Sequence, residues 1–138
     1  MTARSIALQA LYSLDFNNEL DDDLDLTVFP GMTEEEMDAL DEEAKTFARL
    51  LILGTVENRS QIDQIIRKYS INRPLEKINI VDRNVLRLSL YQLLYVKDTH
   101  PTIIIDQAVK LSQSFSNDVS YKFINGLLDT YVKENIHD

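Results

Sequence analysis

Four small groups of polar residues are the places where this chain could do chemistry. Asp21-x-Asp23-x-Asp25 spaces three carboxylates as the first half of a calcium loop does. The match ends there, because Leu26 follows where such a loop needs Gly, and Met32 falls where its bidentate Glu should stand. The stretch reads as a solvated acidic loop with at most weak cation affinity. His100 precedes a proline and His137 lies at the C-terminal end, and neither has an evident partner to make it a general base. Three scattered glycines build no phosphate-binding turn, and no nucleophile elbow is present. The chain has no Cys, which excludes thiol catalysis, disulfides and zinc–thiolate sites. Neither catalysis nor a metal or cofactor is expected. The fourth group is "IVDRNVLRLSLYQLLY", residues 80–95, where Asp82, Arg83 and Arg87 stand among ten apolar residues.

At about 100° per residue the apolar side chains of 80–95 spread around most of a helix's circumference. Such a helix is packed on several sides and belongs inside a bundle. Arg83 and Arg87, one turn apart, form its one cationic seam. Charges on so buried a helix either meet a partner through a gap or close an internal salt bridge, for instance with an acid of the second helix.

The surrounding periodicities supply the bundle. Arg4 to Phe16 reads as a first helix, with Ile6, Ala7, Ala10, Leu11 and Leu14 on one stripe. Residues 17–32 form an acidic connection that ends near the breaker pair Pro30-Gly31. Thr33 and Glu36 make a capping box that opens a helix from about Glu34 to Glu57. Gly54 inside that helix costs roughly 1 kcal/mol relative to Ala, which suggests a close crossing. Ser60 with Asp63 looks like a further cap. A short turn at "PLEKIN" leads into the central helix, and "TIIIDQAVKLSQSF" is the next helical segment, with a possible extended start at its isoleucines. Ser116 or Asn117 caps a last helix with Phe123, Ile124, Leu127, Leu128, Tyr131 and Val132 on its stripe, interrupted by Gly126. The expectation is an all-α chain, a compact bundle of about seven helices in one domain spanning 1–138.

With 138 residues, 44% of them hydrophobic, the chain can bury a real core. No apolar run approaches bilayer-spanning length and the N-terminus lacks a signal-peptide layout, so a cytoplasmic location is expected. The net charge of −9 is misleading about partners. Residues 19–43 hold 12 of the 23 acids and no Lys or Arg. The remainder carries 11 acids against 14 basic residues, a net of +3. Segregated charge of this kind leaves an RNA partner open.

"ALQALYSLDF" near the N-terminus, "VDRNVLRLSLYQLLY" in the middle and "KFINGLLD" near the C-terminus together resemble the NusB family of bacterial transcription antitermination factors. The resemblance runs over nearly the whole chain. It implies two packed three-helix bundles and a non-enzymatic adaptor. That adaptor would bind boxA-type RNA, pair with the ribosomal protein NusE and serve the RNA polymerase antitermination complex on ribosomal RNA operons. It places partner contacts on Asp82, Arg87, Tyr91 and Gln92. It places RNA contacts on Arg4, Gln9 and Tyr12 and on Ser116, Asn117, Ser120, Lys122 and Phe123. Single-stranded RNA needs an aromatic to stack on, a cation for phosphate and free amides at a helix N-terminus, so these types suit the task. Phe123, on the last helix's stripe, reads more readily as a core residue than as a stacking platform, Tyr12 reads equally as a core residue with its hydroxyl at the surface, and Lys122 as an ordinary surface lysine.

One departure is plain. Family members usually carry an arginine-rich run before the first helix, whereas this chain begins "MTARS" and keeps only Arg4. Lower intrinsic RNA affinity, a weaker salt dependence and a heavier reliance on the ribosomal-protein partner follow. Two rivals belong to other classes. One is a detached RNA-binding module of a ribosomal RNA cytosine methyltransferase, and the other a helical interaction protein working as a homodimer.

Overall fold

The computed structural model describes residues 1–136, which leaves His137 outside the described residues. Among these the chain forms seven α-helices and no strand. They are α1 (Ala3–Phe16), α2 (Glu34–Asp38), α3 (Glu42–Glu57), α4 (Arg59–Tyr69), α5 (Ile80–Tyr95), α6 (Pro101–Phe115) and α7 (Ser120–Asn135), with a 3₁₀ turn at Leu75–Lys77 before α5. The all-α expectation holds.

Local chemistry explains where the elements begin. Thr2 and Ser5 close a capping box on α1, and Thr33 and Glu36 close another on α2, whose first turn carries three glutamates at its positive end. The helix expected over 34–57 is two helices. The Asp41 carboxylate accepts from the Ala44 N–H at 2.7 Å, so a new N-terminus starts there. Asn58 separates α3 from α4 without a side-chain cap. The expected Ser60–Asp63 cap does not form, because Asp63 is turned toward Arg87 of α5. The isoleucines after Pro101 are helical from the start. Pro101 occupies the first turn, where its missing N–H costs nothing, and His100 Nδ1 accepts from the Thr102 N–H at 3.1 Å. His100 therefore caps a helix. Asn117 caps α7 by accepting from the N–H groups of Val119 and Ser120.

Helix α5 is the axis of the packing. It touches α1, α3, α4, α6 and α7, and every residue from Asn84 to Leu93 is buried. α1 and α3 pack together on one side of it, α6 and α7 on the other. This arrangement is compatible with two three-helix groups that share α5. The acidic connection is tied down by Leu20, Leu26 and Phe29, all buried in the same core. Arg49 lies over the Phe29 ring at 5.5 Å. Gln9 of α1 donates to the Gly31 carbonyl at 2.7 Å, and Gly31 takes the left-handed φ of +83° that lets the chain turn there. Asp25 accepts from Thr27, and Asp21 pairs with Arg59 of α4. No group of three or more His, Cys, Asp or Glu among the described residues could hold a metal ion.

Gly54 is the close crossing its position suggests. A Cβ there would lie 2.0 Å from Tyr91 Cζ, so the Tyr91 ring sits directly on the α3 backbone. Gly126 is different: a Cβ there would meet nothing within 4 Å.

Candidate nucleic-acid interface

The charges of α5 are answered from inside the molecule. Arg83 forks onto Asp15 of α1, with Nε 2.7 Å and Nη2 2.9 Å from its two oxygens. Arg87 donates through Nη1 to the same carboxylate at 2.9 Å, and through Nε and Nη2 to Asp63 of α4 at 2.8 and 3.2 Å. Asn84 bridges Asp15 and Arg87. One carboxylate from α1 and one from α4 thus hold two arginines of α5, with the bidentate geometry that makes such pairs strong. Burial pushes the Asp15 carboxyl up, but hydrogen bonds from Arg83 and Asn84 and the two guanidinium charges outweigh it and hold its pKa below the ordinary value. The hydrogen bond to Asp15 in turn raises Arg83.

The four residues expected to meet a protein partner are all interior. Asp82, 1% exposed, accepts from Ser112 at 3.1 Å and Ser116 at 3.2 Å, and its own N–H is capped by Asn79. Arg87, 5% exposed, is the junction of the ion network. Tyr91 is buried against Gly54, and burial raises its hydroxyl pKa. Gln92, also buried, accepts from Arg4 Nε at 2.7 Å. The premise of half-exposed α5 charges is corrected. The acids that answer them come from α1 and α4, because these helices pack against the faces of α5 that carry the arginines.

The RNA set divides into three groups. Arg4 is half-buried, with its guanidinium 5.3 Å over the Phe47 ring, its Nε bound to Gln92 and its pKa lowered by burial. Gln9 and Tyr12 open onto a cleft of about 520 Å³ that Ser5, Leu8, Val81 and Phe115 also line. Ser116, Asn117 and Ser120 form the α6–α7 junction. There the Ser116 hydroxyl is bound to Asp82, the Asn117 oxygen to the start of α7, and Ser120 is buried. Phe123 and Lys122 stand farther along α7. Phe123 is half-buried, packs against the core and carries the Arg73 guanidinium 4.4 Å from its ring centroid, while Lys122 is exposed.

Reading the sequence misses the residues that give the cleft its character. Phe115 continues the Ile104, Ala108, Leu111 spacing, which predicts a buried ring, yet it is 50% exposed at the last turn of α6. Phe16, at the end of α1, is 65% exposed and stacks on Tyr12 at 5.9 Å with the ring planes 12° apart. Period gives no warning for Phe115, whereas Phe16 falls opposite the buried stripe of α1, where period predicts exposure. Asp15 was detectable: it lies four residues after Leu11, on the stripe that faces the core, and an acid there calls for a buried cation.

This geometry offers the stacked Tyr12 and Phe16 rings of α1 and the exposed Phe115 ring at the end of α6, next in the chain to a junction rich in hydroxyl and amide groups. Such a surface can stack and hydrogen-bond flat polar molecules; it carries no catalytic constellation. No helix among the described residues is long and apolar enough to cross a membrane.

Comparison with known proteins agrees with the residues. Over residues 1–133 the chain matches the NusB family. The transcription antitermination protein NusB of Treponema denticola is 39% identical over 127 residues, covering 92% of this chain and 90% of that protein. The NusB of Borreliella burgdorferi is 35% identical over 131 residues, covering 94% and 91%. Among solved structures, T. maritima NusB superposes with a TM-score of 0.82 at 36% identity, covering 96% of this chain and 89% of that one. A structure of the antitermination factors NusB and NusE in complex with dsRNA gives a TM-score of 0.80 at 26% identity, over 96% and 94% of the two chains. The matched proteins are transcription antitermination factors, not enzymes, and this chain belongs to the NusB family.

Proposed function

We propose that this protein is an RNA-binding adaptor of transcription antitermination. In this reading it binds boxA-type single-stranded RNA together with the ribosomal protein NusE, in the cytoplasm, and supports ribosomal RNA transcription by the RNA polymerase antitermination complex. The observation that carries the reading is the exposed Tyr12 and Phe115 lining one cleft, with Phe16 stacked on Tyr12, in a chain of this family. Aromatic side chains left in water at a cost in solvation are the groups on which unpaired bases stack. A family structure that holds NusE and RNA together supports the pairing of the two partners. The relatives it matches at 39% and 35% identity are antitermination proteins, which favours the adaptor over a methyltransferase module.

The protein partner is assigned to the side where α5 emerges at Tyr95. That ring is exposed, bound to Gln61 of α4, and packed at 5.5 Å on Tyr91. Tyr91 and Gln92 form the floor beneath it, and Asp82 and Arg87 act at a distance by fixing α5. Arg4 is held inward by Gln92, so phosphate neutralisation falls to Lys122 and to the partner, and the isolated protein binds RNA weakly.

Fluorescence anisotropy with labelled boxA-like RNA, a scrambled control and added NusE tests this. Selective binding that tightens at least about tenfold with NusE is expected, a coupling in the ordinary range for linked sites. Equal affinity for both RNAs under every condition would sink the reading and leave a helical interaction protein, with a concentration-dependent mass if it is a homodimer.

A further inference from the structure

The acidic connection between α1 and α2 leaves an apolar opening against α3. Leu20, Leu26 and Phe29 anchor the connection in the core, but Leu24 among them is only half-buried. Leu24, Asp25, Leu26 and Thr27 form one wall of a groove of about 480 Å³, and Arg49 and Leu53 of α3 form the other. Leu50, one turn before Leu53 on the same side of the helix, is 49% exposed. A single exposed leucine is ordinary. Here Leu24, Leu50 and Leu53 are all partly open to water around one groove.

The charge around this opening is one-sided. Asp22 and Asp23 precede Leu24, Asp25 lines the groove, and Glu57 follows Leu53 by one turn of α3; all four are exposed. Among the described residues none of the four enters an ion pair, whereas the neighbouring Asp21 is taken by Arg59. The cation of the lining, Arg49, lies over the Phe29 ring at 5.5 Å. Unpaired carboxylates gathered at one place repel one another in the free protein, and they repel RNA and anionic lipid as well. A metal ion is not their complement, because no group of three or more His, Cys, Asp or Glu among the described residues could hold one. What answers both the carboxylates and the leucines is a chain that brings cations and an apolar side chain together.

We infer that this groove docks a short basic segment of a second protein partner. One Leu- or Met-sized side chain of that segment seats among Leu24, Leu50 and Leu53, while its Lys or Arg residues meet Asp22, Asp23, Asp25 and Glu57. The groove shares no lining residue with the Tyr12–Phe115 cleft, so the inference does not rest on the RNA reading. It gives the acidic connection a task, which is to hold a basic protein on a face that turns RNA away.

The probe is a short labelled peptide with lysines on both sides of one central leucine, followed by fluorescence anisotropy at low and physiological salt. One control peptide has serine in place of the leucine, and another has glutamates in place of the lysines. The leucine peptide should bind at least about tenfold more tightly than the serine peptide, the worth of burying one aliphatic side chain, and the glutamate peptide should not bind. Leu50→Ser should erase the leucine advantage. Asp22→Asn/Asp23→Asn should weaken both basic peptides at least about threefold, while Asp98→Asn/Asp106→Asn, equal in charge but on α6 and the loop before it, changes them by less than about twofold. All five positions are exposed, so the variants keep their melting temperature within a few degrees. Affinity for boxA-like RNA should be unchanged in Leu50→Ser, whatever that affinity is. No preference for leucine, or equal losses in the two charge variants, would reduce the binding to the general attraction of an acidic protein and overturn the inference. Displacement of the peptide by NusE would merge the groove with the partner surface at Tyr95 and overturn the second docking site.

Discussion

Asp15 ties α1 to α5, because Arg83 and Arg87 both terminate on it and Asn84 completes its hydrogen bonds, and Arg87 carries the network on to Asp63 of α4. Removing one member of such a buried set leaves the others charged and unpaired, and that is costlier than the loss of an exposed pair. Arg87→Ala should therefore lower unfolding free energy by about 3 kcal/mol whether or not a protein partner is present, measured by urea denaturation. A neutral stability change with weakened partner binding would contradict the internal placement. The sign of the pH effect follows from the depressed Asp15 pKa. Its contribution is complete above the unfolded carboxylate value of about 4 and is lost as pH falls through the lower folded value. Melting temperature should fall on acidification below about pH 4, and Asp15→Asn, already destabilised at neutral pH, should show a shallower acid limb.

At the scale of elements, the two helical glycines separate cleanly. Gly54→Ala drives a methyl group into the Tyr91 ring and should cost about 2 kcal/mol, recovered in part when Tyr91→Leu is added, as a double-mutant cycle in thermal or urea unfolding would record. Much of this architecture was legible in the sequence. The amphipathic spacing of α1, the apolar circumference of α5, the Thr33–Glu36 box and the Asn117 cap all stand as local signals, which is why they could be read without the fold. The break at Asp41 was visible only as one more acid in an acidic run, and competing cap residues hid it. The candidate site was less legible. Arg4, Asp82, Arg87 and Gln92 are polar residues whose types suit a surface, and only the packing of α1, α3, α4 and α6 around α5 decides that they turn inward. Phe115 fails in the opposite direction, since helical period predicts burial and only the end of α6 leaves it exposed, whereas Phe16 lies opposite the α1 stripe, where period predicts exposure.

For the molecule as a whole, α5 joins the acidic N-terminal half to the α6–α7 half, and the ion network and Asp82 fix that junction from both sides. The charge is segregated, with 12 of the 23 acids in the 19–43 stretch and a net of +3 over the remainder, so a global excess of negative charge coexists with a remainder that is net positive. In the proposed reading stability and recognition are carried by different residues, buried ions for the one and exposed rings for the other. The central claim is that unpaired bases stack on the exposed Tyr12 and Phe115 rings of the cleft between α1, α5 and α6. It is tested most directly by the RNA affinity of the Tyr12→Ala/Phe115→Ala double variant, measured by anisotropy with NusE present. Both rings are exposed, so the variant should keep its melting temperature within a few degrees while losing at least about tenfold in affinity for boxA-like RNA, the scale of one or two lost base stacks. Unchanged affinity in a normally folded variant would contradict the claim and move RNA recognition to another face.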